Sequence, residues 1–365
     1  VILQVIFCQK LLLEAGYAQA RAIWFGARAM YAMIETIGAQ NEASGMSKSI
    51  PVFSAQETAE RLPYSALIEA LKHVFINGAH APQRSVHSIV SPAGDAPPIG
   101  DLMMMPAWQP GGTLAVKLAT VYPGNARHGL PQIQGLILVF DATTGKPLAV
   151  MDGAECTRRR TAAASALASQ VMSRRDSRTL SMIGTGALAP HLLQAHLAVR
   201  PAIQQVRLWG RRPDKARALA KTLAAQLTGI EITHAPSAQV ACEEADIVCC
   251  ATNAKAPIVE GAWIKPGTHI DLVGSYSPAA REIDTAGVLA ARVIVDTWEG
   301  FEHEAGDLLI PLQEGAITKD HILGDLASIL KGQITPRRTK TDITLFKSVG
   351  TAIEDLAAAQ LVLGG

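Results

Sequence analysis

The chain has 365 residues, 48% hydrophobic and 18% charged, with 33 Lys and Arg against 32 Asp and Glu. That hydrophobic fraction excludes a disordered chain, and the near-zero net charge gives no reason to expect nucleic acid or an anionic membrane as a partner. The length suits two domains of about 150 residues each, and no apolar run reaches the roughly 18 residues of a transmembrane helix.

The chain opens on Val1. Residues 1–45 carry Lys10, Arg21 and Arg28 against Glu14, Glu35 and Glu42, with apolar residues at loose helical spacing. Val1–Phe7 precedes any basic residue, the reverse of a secretory signal. These residues read as an upstream extension outside the fold, and the Val1 start as a misplaced start codon; an amphipathic assembly arm is the functional alternative. Clean signals begin after Met46. Ser54 followed by Glu57 is a capping box, and Ser65–Ile76 has helical apolar spacing. Ser85–Val90, Gly112–Val121 and Ile133–Phe140 read as strands, the last closed by Asp141 and a turn at Gly145. Cys156–Met172 is an Ala-rich helix.

From Arg178 strands and helices alternate strictly. Thr179–Ile183, Gln205–Trp209, Asp246–Ala251, His269–Val273 and Arg292–Val295 are short apolar runs, separated by helical segments such as Ala187–Val199 and Pro213–Leu227. A parallel sheet buried on both faces produces such runs, so the fold class is α/β, a doubly wound Rossmann-type domain. The alternation stops near Pro336; Ile343–Phe346 reads as a strand and Ala352–Leu363 as a last Ala-rich helix. The cysteines, Cys8, Cys156, Cys242, Cys249 and Cys250, have no zinc spacing, and their odd number fits buried thiols in a reducing cytoplasm.

Gly184-Thr185-Gly186-Ala187-Leu188-Ala189 leaves a strand and opens a helix as Gly-x-Gly-x-x-Ala. The first glycine allows the turn, the second admits a pyrophosphate, and the small Ala189 lets helix and strand pack closely. An NAD site would place a carboxylate at the end of the second strand. Here Gly210-Arg211-Arg212 follows Trp209, and guanidinium groups can hold a 2′-phosphate, so NADPH is the expected cofactor, with NADH as the alternative. Arg158-Arg159-Arg160 at a helix start is electrostatically odd, since cations favour C-termini. Successive helical residues point about 100° apart, so one inward arginine binding an anionic substrate is the sharper reading.

The run Thr157-x-x-Arg160-Thr161-Ala162-Ala163 resembles the signature of the ornithine cyclodeaminase/mu-crystallin family. Val116-Lys117-Leu118, Tyr122-Pro123-Gly124-Asn125, Lys265-Pro266-Gly267-Thr268, Val273-Gly274 and Ile343-Thr344-Leu345-Phe346-Lys347-Ser348-Val349-Gly350 agree in order, so the resemblance spans about Ser54 to Leu363. It implies a Rossmann domain, residues 176–336, inserted into an α+β substrate-binding and dimerisation domain made of 46–175 with 337–365, and a homodimer. It also implies that Arg84, Lys117 and Arg160 gather on a substrate carboxylate. Independently of the resemblance, His87 lies close enough to Arg84 in the chain to line the pocket. Thr161, Gly184, Thr185, Gly186, Ala187, Ala189, Arg211, Arg212, Thr252 and Gly350 are the expected cofactor residues; no metal is expected.

One departure decides among activities. Family members that deaminate ornithine carry an Asp after the Val-Gly-x step, whereas here Tyr276 follows Val273-Gly274-Ser275. A phenol of reference pKa about 10 cannot replace a carboxylate as general base at neutral pH, though it can donate a hydrogen bond. Together with the Gly210-Arg211 strand end, this points to the ketimine-reductase branch. The expected activity is NADPH-dependent reduction of 1-pyrroline-2-carboxylate, with 1-piperideine-2-carboxylate as a homologue, to L-proline and L-pipecolate. Lys117 and Tyr276 are the expected catalytic groups. The alternatives are an ornithine cyclodeaminase and a non-enzymatic, mu-crystallin-like NADPH-binding protein.

Overall fold

A computed structural model describes residues 49–90 and 98–364. The expectation for residues 1–45 lies outside this range. The described chain opens with β1 (Val52–Phe53), then α1 (Ala55–Arg61) and α2 (Tyr64–Asn77). The Ser54 hydroxyl accepts the Glu57 amide, and the Glu57 carboxylate takes the Ser54 amide at 2.8 Å, closing the capping box. α2 buries Leu67, Ile68, Leu71, Val74 and Phe75, one stripe at helical period.

β2 (Ser85–Ile89), β3 (Gly100–Trp108), β4 (Thr113–Val121), β5 (Ile133–Asp141) and β6 (Pro147–Asp152) follow. With β1 they form a six-stranded sheet in the order β1-β6-β5-β4-β3-β2, antiparallel except where β1 meets β6. β3 was not among the expected strands; it contains Pro106, and proline cannot donate to a ladder. The structure places Pro106 beyond Met104, the last β3 residue that pairs with β2, so no partner on that side demands its missing N–H. β4 alternates strictly, and its buried positions are Ala115, Lys117, Ala119 and Val121. Lys117 therefore occupies a register position that the strand otherwise fills with core residues.

α3 (Gly153–Met172) starts three residues before the expected Cys156. Asp152 caps it, accepting the Glu155 amide at 2.7 Å. A Cβ on Gly153 would sit 2.6 Å from the Gly135 carbonyl carbon, so the helix start lies directly on β5.

The second layer system is built on β7 (Thr179–Ile183), α4 (Ala189–Val199), β8 (Gln205–Trp209), α5 (Pro213–Gln226), β9 (Glu231–His234) and α6 (Ala238–Cys242). β10 (Ile247–Cys250), β11 (His269–Leu272), α7 (Thr285–Leu289), β12 (Ala291–Val295), α8 (Trp298–Glu304) and α9 (Gly306–Gln313) continue it. β13 (Ile322–Asp325), α10 (Leu326–Leu330) and β14 (Ile343–Lys347) complete it. All eight strands are parallel, in the order β13-β12-β14-β11-β10-β7-β8-β9. β10 and β11 are buried at every position, as both-face coverage requires.

The return to the first unit falls later than the expected residue 337. β14 is paired on both sides, with β11 and β12, so residues 343–347 belong to the parallel sheet. The reason is burial: Thr344 to Lys347 are all covered, which only an interior strand provides. The chain crosses back after Lys347, and α11 (Ala352–Gly364) packs against α2, α3, β3 and β4. Cys156, Cys242, Cys249 and Cys250 are buried free thiols. Among the described residues no helix is long and apolar enough to cross a membrane.

The contact between α3 and β5 leaves no room for a side chain at its start. Gly153→Ala should destabilise the fold by about 1–3 kcal/mol, read as a lowered urea midpoint with unchanged slope.

Candidate active site

The strand order reverses between β7 and β10, which opens a crevice at their C-terminal ends where a dinucleotide binds in such sheets. The glycine loop lies at this point. Gly184 has φ +121°, and a Cβ there would overlap the Ala251 carbonyl across the crevice. Gly186 has open space around its Cα, and Gly186 and Ala187 are exposed at the loop tip, while Ala189 is buried where α4 begins. The expected helix start at Ala187 moves to Ala189, so residues 184–188 form a loop that ends on helix N–H groups. On the next strand, a Cβ on Gly210 would lie 2.6 Å from the Thr185 side chain. Arg211 and Arg212 follow it and are exposed. These features fit a nicotinamide dinucleotide: room at Gly186, a helix start, and no carboxylate at the end of β8.

Thr252 follows β10 and is tied to a residue that the sequence alone did not single out. Glu282 Oε1 accepts from the Thr252 amide at 2.7 Å and hydroxyl at 2.8 Å; its Oε2 accepts from Gly274 N at 2.8 Å and Ser275 N at 3.3 Å. Asp307 in turn receives the Glu282 amide at 2.6 Å, and Lys347 pairs with Asp307 at 2.8 Å while donating to the Ser275 carbonyl. Burial pushes the Glu282 carboxyl up to about 7, against the pull of Lys347. This buried group fixes the two loops that flank the crevice.

Two of the expected cations, Arg84 and Arg160, meet at Gly350, and Lys117 is joined to Arg160 through Asp355. Arg158 and Arg159 both turn to Glu155, each at 2.7 Å, and leave Arg160 as the inward member of the run. Arg160 Nη1 meets Glu354 at 2.5 Å and its Nε lies 3.2 Å from Asp355. The other Asp355 oxygen is 2.8 Å from Lys117 Nζ. Arg84 Nη2 donates to the Val349 and Gly350 carbonyls at 3.1 and 2.6 Å, and its Nε pairs with Glu304 at 2.9 Å. A Cβ on Gly350, which has φ +79°, would sit 2.6 Å from Arg160 Nη1. Asp296 holds this segment by accepting from Ser348 Oγ, Val349 N and Gly350 N at 2.7–3.0 Å. Thr161 is buried in α3 beside Arg160.

Burial, reinforced by the Arg160 charge, pushes the Lys117 ammonium down to about 8, with Asp355 opposing. Burial also opposes the Arg160 charge, but Glu354 and Asp355 more than offset it. A cavity of about 250 Å³ is lined by Arg84, Val86, Asp101, Met103, Tyr276 and Glu304 among others. His87 does not line it: side chains alternate along β2, and Val86 takes the inward position. Tyr276, 38% exposed, and Arg84 face one space from opposite domains.

A Rossmann crevice beside a buried cluster of cations defines a nicotinamide-dependent protein built for a small anion. Residues 51–364 match the sequence model of the ornithine cyclodeaminase/mu-crystallin family. The chain belongs to that family. It is 41% identical over 316 residues to a Delta(1)-pyrroline-2-carboxylate reductase of Colwellia psychrerythraea, covering 86% of this chain and 98% of that protein. Among solved structures it resembles the Thermococcus litoralis Delta(1)-pyrroline-2-carboxylate reductase in complex with NADH and L-proline, with TM-score 0.80 and 36% identity, over 86% of this chain and 97% of that one. It also resembles an archaeal alanine dehydrogenase dimer with bound NAD, with TM-score 0.79 and 27% identity, over 86% and 95% of the two chains.

The cation cluster can be tested through its carboxylates. Asp355→Asn leaves Lys117 and Arg160 with a single buried counter-ion, and should cost about 3–5 kcal/mol in chemical denaturation.

Proposed function

We propose that the protein reduces a cyclic ketimino acid, 1-pyrroline-2-carboxylate or its six-membered homologue, to L-proline or L-pipecolate. The observation that carries this reading is the grouping of Arg84 and Arg160 at Gly350 with Lys117 beside them, linked to Arg160 through Asp355. The names of the relatives and the L-proline in the Thermococcus litoralis complex support it. When bound, the nicotinamide supplies the hydride that adds to the C=N carbon. The residues of this chain bind, orient and protonate. Arg84 and Arg160 are the groups suited to a carboxylate, through forked, charge-assisted hydrogen bonds. Lys117 holds a proton at neutral pH with a depressed affinity for it. Giving that proton to the ring nitrogen relieves its repulsion with Arg160, so Lys117 is the assigned donor. Tyr276, facing the same cavity, is a hydrogen-bond donor to the substrate.

NADPH is the preferred cofactor in this reading, because Arg211 and Arg212 stand exposed where an NAD site would carry a carboxylate. The protein works as a homodimer in the cytoplasm. β2 is an edge strand exposed along nearly its whole length, and its open edge offers a surface for the second copy.

Pure protein mixed with NADPH and 1-pyrroline-2-carboxylate should oxidise the cofactor and yield L-proline by chromatography. Ammonia release from ornithine without net cofactor change would overturn the reading. Arg211→Ala should weaken NADPH by roughly ten- to a hundred-fold while sparing NADH, in fluorescence titrations of each. Lys117 has its folded pKa lowered from 10.5 to about 8, so it loses the proton it must donate as pH rises through about 8. Turnover should therefore fall on that limb, and Lys117→Met should lower kcat by roughly 10²- to 10⁴-fold and abolish the limb.

A further inference from the structure

Arg84 is the one member of the cation trio that borders the open cavity, and it is already engaged. Its Nε contacts Glu304 at 2.9 Å, across the line between the substrate-binding layer and the end of α8 in the Rossmann layer. The two side chains are 12% and 17% exposed, so the pair is largely withdrawn from solvent. Both residues line two cavities, the 250 Å³ space shared with Tyr276 and a smaller one beside Thr351. The Glu304 carboxylate is used on one side only: Oε1 meets Arg84, whereas Oε2 is buried without a hydrogen-bond partner. Asp296 and Glu299 repel this carboxylate, His303 and Arg84 attract it, and burial pushes its pKa up. Lys117 and Arg160 are balanced by Glu354 and Asp355, which leaves Glu304 as the sole charge partner of Arg84 among the described residues.

We propose that Glu304 is an internal stand-in for the substrate carboxylate, holding Arg84 until the substrate displaces it, and that this exchange sets substrate affinity. The proposal rests on the reading of Arg84 as a carboxylate ligand. The geometry favours exchange over mere support. The Val349 and Gly350 carbonyls hold Arg84 Nη2 independently of Glu304, so the guanidinium keeps its aim when the carboxylate leaves. The cavity is smaller than the roughly 300–1,000 Å³ pockets of drug-sized ligands, which suits a small ring acid beside the pair. An incoming carboxylate must overcome both an existing ion pair and repulsion from Glu304. The residue thereby weakens binding of every monocarboxylate that relies on Arg84, substrate and product alike.

The test is a double-mutant cycle on steady-state reduction of 1-pyrroline-2-carboxylate and on inhibition by L-proline. Glu304→Gln, nearly isosteric and uncharged, should lower KM and the L-proline inhibition constant at least about fivefold, with kcat within about twofold of wild type; in an Arg84→Gln background the same change should move KM by less than about twofold. A KM that is unchanged or raised by Glu304→Gln, or an equal fall without Arg84, overturns the exchange and leaves the reductase reading standing. If the wild-type protein turns over no 1-pyrroline-2-carboxylate, that reading falls separately. The exchange is then judged by calorimetric titration of L-proline into the NADPH-loaded protein, where equal affinity of wild type and variant overturns it. Should Glu304→Gln fail to fold, Glu304→Asp keeps the charge but shortens its reach, and should lower KM by a smaller factor.

Discussion

Two adjacent carboxylates on the first turn of the last helix hold the site together. Glu354 and Asp355 are wholly buried, and they face Arg160 from α3 and Lys117 from β4. Four charges removed from water would be ruinous unpaired, but here they balance and each lies within reach of an opposite charge. Their place in the first turn of α11 also puts negative charge at the positive end of the helix dipole. The cluster therefore does two jobs. It pins the C-terminal helix to the substrate-binding layer, and it keeps an ammonium and a guanidinium out of water without leaving either unpaired.

The segment just before that helix connects this cluster to the cofactor crevice. β14 ends inside the parallel sheet, and Asp296, at the end of neighbouring β12, takes hydrogen bonds from Ser348, Val349 and Gly350. The same turn presents two carbonyls to Arg84 and lies under Arg160. The positive φ of Gly350 and the closeness of Arg160 leave no space for a side chain there. On the other side, Glu282 clamps the loops after β10 and β11. Sheet, crevice and cation cluster are thus joined by short backbone hydrogen bonds to buried carboxylates, so the cations are positioned by the rigid parts of the fold.

Much of this was legible in residues close together in the chain. The capping box at Ser54, the glycine loop after β7, the Arg211 strand end and the inward Arg160 all depend on spacing within a few residues. The placement of β3 was not legible, because Pro106 reads as a strand breaker until its neighbour on one side is known to stop at Met104. Nor was the membership of β14 in the parallel sheet, since a strand of five residues does not announce which strands flank it. Glu282 carries no local signature; it matters because of a group 30 residues away in the chain, and the role of Glu304 depends on one 220 residues away.

The sequence by itself determined the α/β class, the dinucleotide loop and the single inward arginine of the Arg158–Arg160 run, because each follows from periodicity, turn chemistry or residue type over short spans; Arg84 and Lys117 were singled out only by the family resemblance. Only the tertiary structure decided what those cations face. Arg160, Lys117 and Arg84 are ordinary basic residues until folding sets a carboxylate against each and strips away the water. The charge balance that results, and the depressed proton affinity of Lys117 that goes with it, belong to packing between elements far apart in the chain.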